Sequence, residues 1–409
     1  FGTGQITCNA AGTTFTVAGN GFTFSGTSKI NISYSGASAV SIGVNSGISQ
    51  AMNFNFTTGS YALSFLGSST QSALSVDFTG FTGTWNSWST ATPFIYGSLT
   101  ISSGMTLSAS TGILTFGSTS GSRTITSNGK TMDFPIIFNG VGGTWQLQDA
   151  MTMGSTRTLT LTNGTLDLNN STLTCSIFST SNSNSRTIAF GTSGQITLTG
   201  NGVTIWDAAT GTNFSYTGTP KVVANYSGST GTRTFNFGQT AAIAEGSAFN
   251  FQFGSGSTGT GVFVTNQSDL LVLQGCYQNF NLTGLTTSIG ADNRTVYGDF
   301  TVPASGGTLT AGAVVTTLSA TLNNQTITTN GRTIDFSITY SGTQTCTLVG
   351  ALTLGSTRNF IITSGTLDLA GYTLSAGNLN YSSSNSRSIN FNSGQITLIG
   401  VGQIITAAT

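Results

Sequence analysis

The chain has 409 residues, of which only 5% are charged, with 11 basic and 11 acidic side chains, a formal net charge of +0 and no histidine. Soluble domains average about 25% charged residues, so solubility here falls to Ser, Thr, Asn and Gln, and there is no basic excess to attract nucleic acid or an anionic membrane surface. The missing histidine excludes Ser-His-Asp and Cys-His catalysis from these residues, and 37% hydrophobic content with 27 phenylalanines argues against a disordered tract.

Along the chain, repetition is the main signal. Residues 1–7 (FGTGQIT) return at 190–197 (FGTSGQIT) and again at 391–397 (FNSGQIT). Residues 29–34 correspond to 221–226, and 128–134 (NGKTMDF) to 330–336 (NGRTIDF). The block 154–190 aligns without a gap on 355–391 and is identical at 19 of 37 positions, including the segments GSTR, GTLDL and SNSR. We read two long units, 1–189 and 190–390, followed at 391–409 by the start of a third, and expect the sequence to be a window on a longer polypeptide. The offset between matching segments is smaller in the first halves of the units, which places insertions and deletions in loops there.

Within each unit the alternation is that of strands. Thr158-Leu159-Thr160-Leu161-Thr162 and Gln195-Ile196-Thr197-Leu198-Thr199 put apolar side chains on one face and β-branched hydroxyl side chains on the other. Turn formers such as Asn128-Gly129, Asn163-Gly164, Asn169-Asn170 and Ser364-Gly365 separate these runs. Helical periodicity is absent, so the fold class predicted is all-β. The favoured architecture is a parallel β-solenoid, or β-helix, with rungs of about 20 to 25 residues, supported by only four prolines. Tandem β-sandwich domains are the alternative.

Chemistry-bearing residues are sparse. The cysteines Cys8, Cys175, Cys276 and Cys346 do not recur between units; Cys175 aligns with Ala376 and Cys8 with Leu198, so they read as small buried apolar residues, with disulfides as the alternative. The glycine-rich segment 254–259 lacks the lysine of a phosphate-binding loop. Asp292 and Asp299 flank Arg294, with Glu245 and Asp269 upstream; they could form an acid pair for glycoside cleavage, but as isolated solvated charges they need no explanation, and the chain is read as no enzyme. Asp167 and Asp368 should point outward between inward leucines, as single charges against lateral sticking or in a weak pairing with Arg157 and Arg358. Arg186 and Arg387 sit in Ser/Asn-rich turns. Sequons at Asn31, Asn163 and Asn281 are expected by chance in such a composition. Trp85, Trp88 and Trp145 cluster in the first unit and Trp206 stands in the second. Burial as core filler is the favoured reading; exposed, Trp85 and Trp88 would be candidate glycan contacts. No cofactor or metal is implied, and no apolar run of bilayer-spanning length occurs, so no membrane insertion is expected.

The run GTLDL, a turn with TLT, then SNSR, Phe and GQITL, carried by residues 164–200 and 365–400 with a partial copy at 1–7, resembles very long internally repeated Ser/Thr/Asn/Gly-rich fibre-like proteins of uncultured aquatic bacteriophages. Repetitive bacterial surface adhesins look similar. The resemblance implies a non-catalytic structural protein of the phage tail-fibre kind, extracellular or on the virion surface, self-associating into a fibre or filament. The competing expectation is an adhesin or receptor-binding fibre that recognises cell-surface glycans through unit-specific loops and tryptophans.

Overall fold

A computed structural model describes residues 5–8, 14–17, 29–37, 39–44, 51–65, 70–89, 92–200, 204–208, 210, 212–225, 233–236, 245, 248–253, 262–264, 275–283, 288–289, 293–305, 309–402 and 405–407. Among these the regular structure is strand throughout, arranged in parallel sheets of 18, 5 and 21 strands. The protein is a parallel β-solenoid. Sandwich domains, the alternative reading, are antiparallel, and pairings such as Gln5–Cys8 with Lys29–Ser33 and Gly365–Asp368 with Arg387–Asn390 are parallel and in register.

The register explains why alternation suffices to build this fold. Each strand places every second side chain inward, and parallel pairing sets that side chain over its equivalent one rung earlier. In the first unit Ile6, Ile30, Phe54, Val76, Leu99, Ile125 and Leu147 follow one another in this way. From Leu99 onward the column is 0% exposed. The second unit repeats the arrangement with Phe280, Phe300, Ile327 and Leu348, all buried. Outward positions carry hydroxyls: Thr165 lies over Thr187 and Thr187 over Ser215, with 2.8 Å between the last two oxygens.

Successive members of the first column are 22 to 26 residues apart. Farther along, Arg186 pairs with Phe214, Lys221 with Asn250 and Thr204 with Thr234, steps of 28 to 30 residues. Turns between the strands absorb most of the difference, and bulges such as that between Thr204 and Trp206 absorb some within strands, which is why no short repeat of constant length is visible in the sequence.

The corners are fixed by asparagine. Asn128, Asn169 and Asn330 adopt φ of 48°, 47° and 51°, a left-handed conformation that Asn tolerates better than other side-chain-bearing residues. Each side-chain amide donates to a carbonyl one rung back: Asn128 to Ile101 at 2.7 Å, Asn169 to Leu147 at 3.0 Å and Asn330 to Val302 at 2.8 Å. Amides also bond along the stack, from Asn55 to Asn31 and Asn31 to Gln5, and from Asn163 to Asn139. Asn31 and Asn163, two of the sequon asparagines, thus have their side-chain nitrogens engaged in the ladder.

The chain divides into two compact units, residues 1–196 with 212–218, and 197–211 with 219–409. Leu99→Ala is expected to destabilise the first unit by about 2–5 kcal/mol, and Thr106→Ala, at an exposed strand position, by less than about 0.5 kcal/mol. Equal urea midpoints for the two variants would contradict the inward column.

Candidate functional site

Two of the recurrent motifs make one clasp. The strand Met151–Met153 runs into Gly154, whose N–H donates to Met132 O at 3.1 Å, and the GSTR turn closes through Arg157 N–H to Gly154 O at 2.9 Å. Arg157 Nε then donates to Asp133 Oδ1 at 2.6 Å, one rung back. In the second unit Gly355 N–H bonds Ile334 O at 3.0 Å, Arg358 N–H bonds Gly355 O at 2.9 Å, and Arg358 Nε bonds Asp335 Oδ1 at 2.7 Å. Glycine allows this close approach, since a Cβ at Gly154 or Gly355 would push against the aspartate Oδ1 and displace that side chain from the clasp. The hydrogen bond from Arg358 holds the Asp335 carboxyl below its ordinary value of 3.8.

This corrects the pairing expected for Arg157 and Arg358. Their partners are Asp133 and Asp335, within the recurrent segments 128–134 and 330–336, and not Asp167 and Asp368. Those two point outward as anticipated, half-buried, and cap turns instead: Asp167 accepts from Asn169 N–H at 2.8 Å and Gln146 Nε2 at 2.9 Å, Asp368 from Ala370 N–H at 2.8 Å and Asn392 Nδ2 at 3.0 Å.

The SNSR turns are organised around their arginines. Arg186 is 1% exposed. Its Nε donates to Thr180 O at 2.8 Å and Thr180 Oγ1 at 2.7 Å, its Nη1 to Asn184 O and Thr212 O at 2.7 Å each, and its guanidinium lies 5.3 Å from the Phe214 ring centroid. Burial pulls its pKa below the ordinary arginine value, yet several oxygens and an aromatic face compensate the charge. Arg387, its counterpart, is half-buried; its Nη1 donates to Asn385 O at 2.8 Å and to Ser383 O within the same turn, and its guanidinium lies 6.0 Å from the Tyr381 ring. A polar groove of about 490 Å³ opens beside it, lined in part by Thr343, Gly365, Thr366, Asn385 and Ser388.

The tryptophans are core. Trp85, Trp145 and Trp206 are 0% exposed and Trp88 is 6%. Trp85 and Trp88 pack at 5.2 Å between centroids, with Phe78 at 5.1 Å from Trp85 and Phe134 at 4.8 Å from Trp88. Neither Trp85 nor Trp88 offers a ring face for sugar stacking, so their role as glycan contacts is replaced by that of core filler.

Of the acids named for a candidate pair and upstream of it, only Asp299 and Glu245 are among the described residues. Asp292 and Asp269 lie outside the described residues, as does the glycine-rich segment 254–259. Asp299 Oδ1 accepts from Thr326 N–H at 2.9 Å and Thr326 Oγ1 at 2.6 Å, while Arg294, 1% exposed, sits between the rings of Phe280 and Phe336. Glu245 receives the N–H groups of Thr321, Leu322 and Asn323, a backbone nest that sequence reasoning missed because the partners are more than 70 residues apart. Cys8, Cys175 and Cys346 are free thiols, the last two buried, which raises their pKa; the side chain of Cys276 lies outside the described residues. No group of three or more potential metal-ligating side chains occurs among the described residues.

No family model, no curated protein and no solved structure matches the chain. What these polar groups do chemically is hold successive rungs together: carboxylates and arginines receive or donate bonds that would otherwise go to water at the corners.

Trp85→Ala should cost about 3–5 kcal/mol of stability, as removal of a buried aromatic does; a variant as stable as the parent would return Trp85 to the surface. The pH dependence has a definite sign. A depressed carboxyl contributes stability above its ordinary range and loses it as pH falls through the folded-state value. Melting temperatures should therefore stay level from about pH 9 to pH 5 and fall in acid. Asp335 is 40% exposed at the side chain, so Arg358→Ala should cost only about 0.2–1 kcal/mol at neutral pH and should reduce the acid-side fall.

Proposed function

We propose that the chain is a non-catalytic structural segment of a fibre or filament, acting outside the cell or on a virion surface. The observation that carries this reading is the register-matched apolar column of each unit. A core built one rung at a time grows by adding rungs, with no need for a larger cross-section, so the architecture suits a protein whose purpose is length. The near-absence of charge supports the same reading, because stability then depends little on pH and salt outside the cell. Resemblance to the repeated fibre-like proteins of aquatic bacteriophages agrees with it, and self-association is the partner relation it implies.

Recognition of surface glycans, the competing function, no longer has Trp85 and Trp88 to draw on, since both are interior. A glycan-array signal lost in a Trp85→Ala variant would report unfolding as readily as contact.

Electron microscopy of the purified chain after negative staining should show particles several times longer than wide, and the particles should survive proteinase K at concentrations that digest ordinary mesophilic enzymes. Compact round particles, or rapid digestion throughout the strands of residues 92–200, would refute the fibre reading.

A further inference from the structure

One outward face of the first unit differs in kind from its counterpart in the second. The strand Leu114–Phe116, the start of Ile136–Leu147, the start of Thr158–Asp167 and the strand Ile177–Ser179 pair in parallel, which stacks Thr115, Ile137, Thr160 and Ser179 in one column. Two residues earlier in each rung, Ile113, Pro135, Thr158 and Ile177 make a second column. All eight are half-buried or exposed, while Leu114, Ile136, Leu159 and Phe178 between the columns are buried. The face is therefore a solvent-facing grid backed by core.

None of the eight residues is charged, and all but Pro135 and Ser179 are β-branched, so their side chains are held near one rotamer. On the flank before Pro135 and Thr158 the charges of Asp133 and Arg157 are paired with each other at 2.6 Å. The hydroxyls of Thr115, Thr158, Thr160 and Ser179 bond no protein group among the described residues. In the second unit the corresponding columns are Thr317, Thr339, Ile361 and Asn380, and Val315, Ser337, Asn359 and Asn378. Asparagines there replace Ser179, Thr158 and Ile177, and two of them are engaged along the stack: Asn378 Nδ2 donates to Asn359 Oδ1 at 2.9 Å, and Asn359 N–H to Ser337 Oγ at 3.1 Å.

The grid narrows what can occupy it. Without charge it offers nothing to an ionic ligand, and its strands are paired on both sides, so no edge is open to an added strand. With rungs about 4.8 Å apart and alternate residues about 6.6 Å apart, the two columns cover a few hundred Å² at most, short of the roughly 800 Å² that each partner brings to a standard protein interface. What remains is a lattice of fixed hydroxyl and methyl groups that repeats in two directions. We infer that this face binds ice. Crystalline water is a neutral ligand, itself periodic, that exchanges hydrogen bonds with hydroxyls and packs against methyl groups. Rigid β-branched side chains hold first-shell water in a fixed array, whereas a charge or an amide would keep a hydration shell of its own. The inference goes beyond the fibre reading and does not depend on it.

The test is thermal hysteresis and inhibition of ice recrystallisation by the full chain. The parent is expected to hold the freezing point below the melting point and to keep ice grains small. Thr160→Asp should raise the concentration needed at least about tenfold, because a carboxylate pressed against a neutral lattice loses hydration without gaining a partner. Its circular-dichroism melt should match the parent, since the position is outward. The double exchange Thr158→Asn with Ile177→Asn installs what the same fold already carries at Asn359 and Asn378, and should weaken activity with no loss of folding. Thr339→Asp, at the counterpart of Ile137, should change nothing. A parent without either activity overturns the proposal, and so does full activity in a folded Thr160→Asp or in the double variant. An inactive parent whose self-association, or whose binding to neutral glycans on an array, is lost in Thr160→Asp would give the face to that partner and overturn the proposal equally.

Discussion

Parallel in-register stacking is the constraint on which the rest of this protein depends. Once one rung lies directly over another, each inward side chain meets its own equivalent, and a polar residue at that position would face the same interior in every neighbouring rung. The inward column therefore has to be apolar, and from Ile6 to Leu147 it is. Where a polar group does enter, part of its bonding capacity is met inside the stack: Gln325, paired with Cys346 in the second unit, donates from Nε2 to Val296 O at 3.0 Å and also to Gly298 O, while its Oε1 has no hydrogen-bond partner. The cost of leaving a buried amide donor unpaired favours these bonds to the neighbouring rung.

The same geometry settles how a chain with so few charges holds its corners. A corner must reverse the chain while leaving its backbone groups bonded, and the next rung is about 4.8 Å away. A short side chain can span that distance. Asparagine does it at Asn128, Asn169 and Asn330, combining a left-handed backbone with an amide that reaches the preceding rung. Aspartate does it at Asp149, which accepts from Ser127 N–H at 2.8 Å and Ser127 Oγ at 3.0 Å. The Asp133–Arg157 and Asp335–Arg358 clasps are the charged version. Being partly exposed, they contribute modestly to stability, and their main effect is to fix the position of the GSTR turn.

Much of the fold was legible because strand alternation and turn chemistry are local. Thr158 to Leu161 alternates half-buried and buried as its sequence suggests, and Asn128-Gly129 does mark a corner, whereas Asn163-Gly164, read as a turn, lies within the continuous strand Thr158–Asp167. The clasp was less legible: both segments were visible as repeats, yet the pairing of Asp133 with Arg157 depends on rung length, which the variable turns conceal. The tryptophans show a different limit. Composition alone cannot say which face of a strand a Trp occupies when the strand is two residues long, as at Thr84–Trp85, and only the cluster with Phe78, Trp88 and Phe134 decides it. The contacts of Glu245 were hidden for the same reason as the clasp, at greater sequence distance.

Comparing the two units shows what the duplicated sequence has kept and what it has let vary. Leu159 corresponds in sequence to Phe360, Leu161 to Ile362, Cys175 to Ala376 and Phe178 to Leu379, and all of them lie in the core. Core identity has drifted because an apolar stack tolerates exchanges that roughly conserve volume across neighbouring rungs. The residues that have stayed the same are held by geometry. Gly154 and Gly355 lie beside an aspartate oxygen, Gly164 and Gly365 adopt φ of 82° and 78°, Asp167 and Asp368 cap the next turn, and Arg186 and Arg387 close SNSR. Identity between the units therefore marks how one rung is joined to the next, and not a shared binding surface. A recognition function, where one exists, has to be sought among the outward residues that differ between the units, because the shared ones are already engaged by their neighbours in the stack.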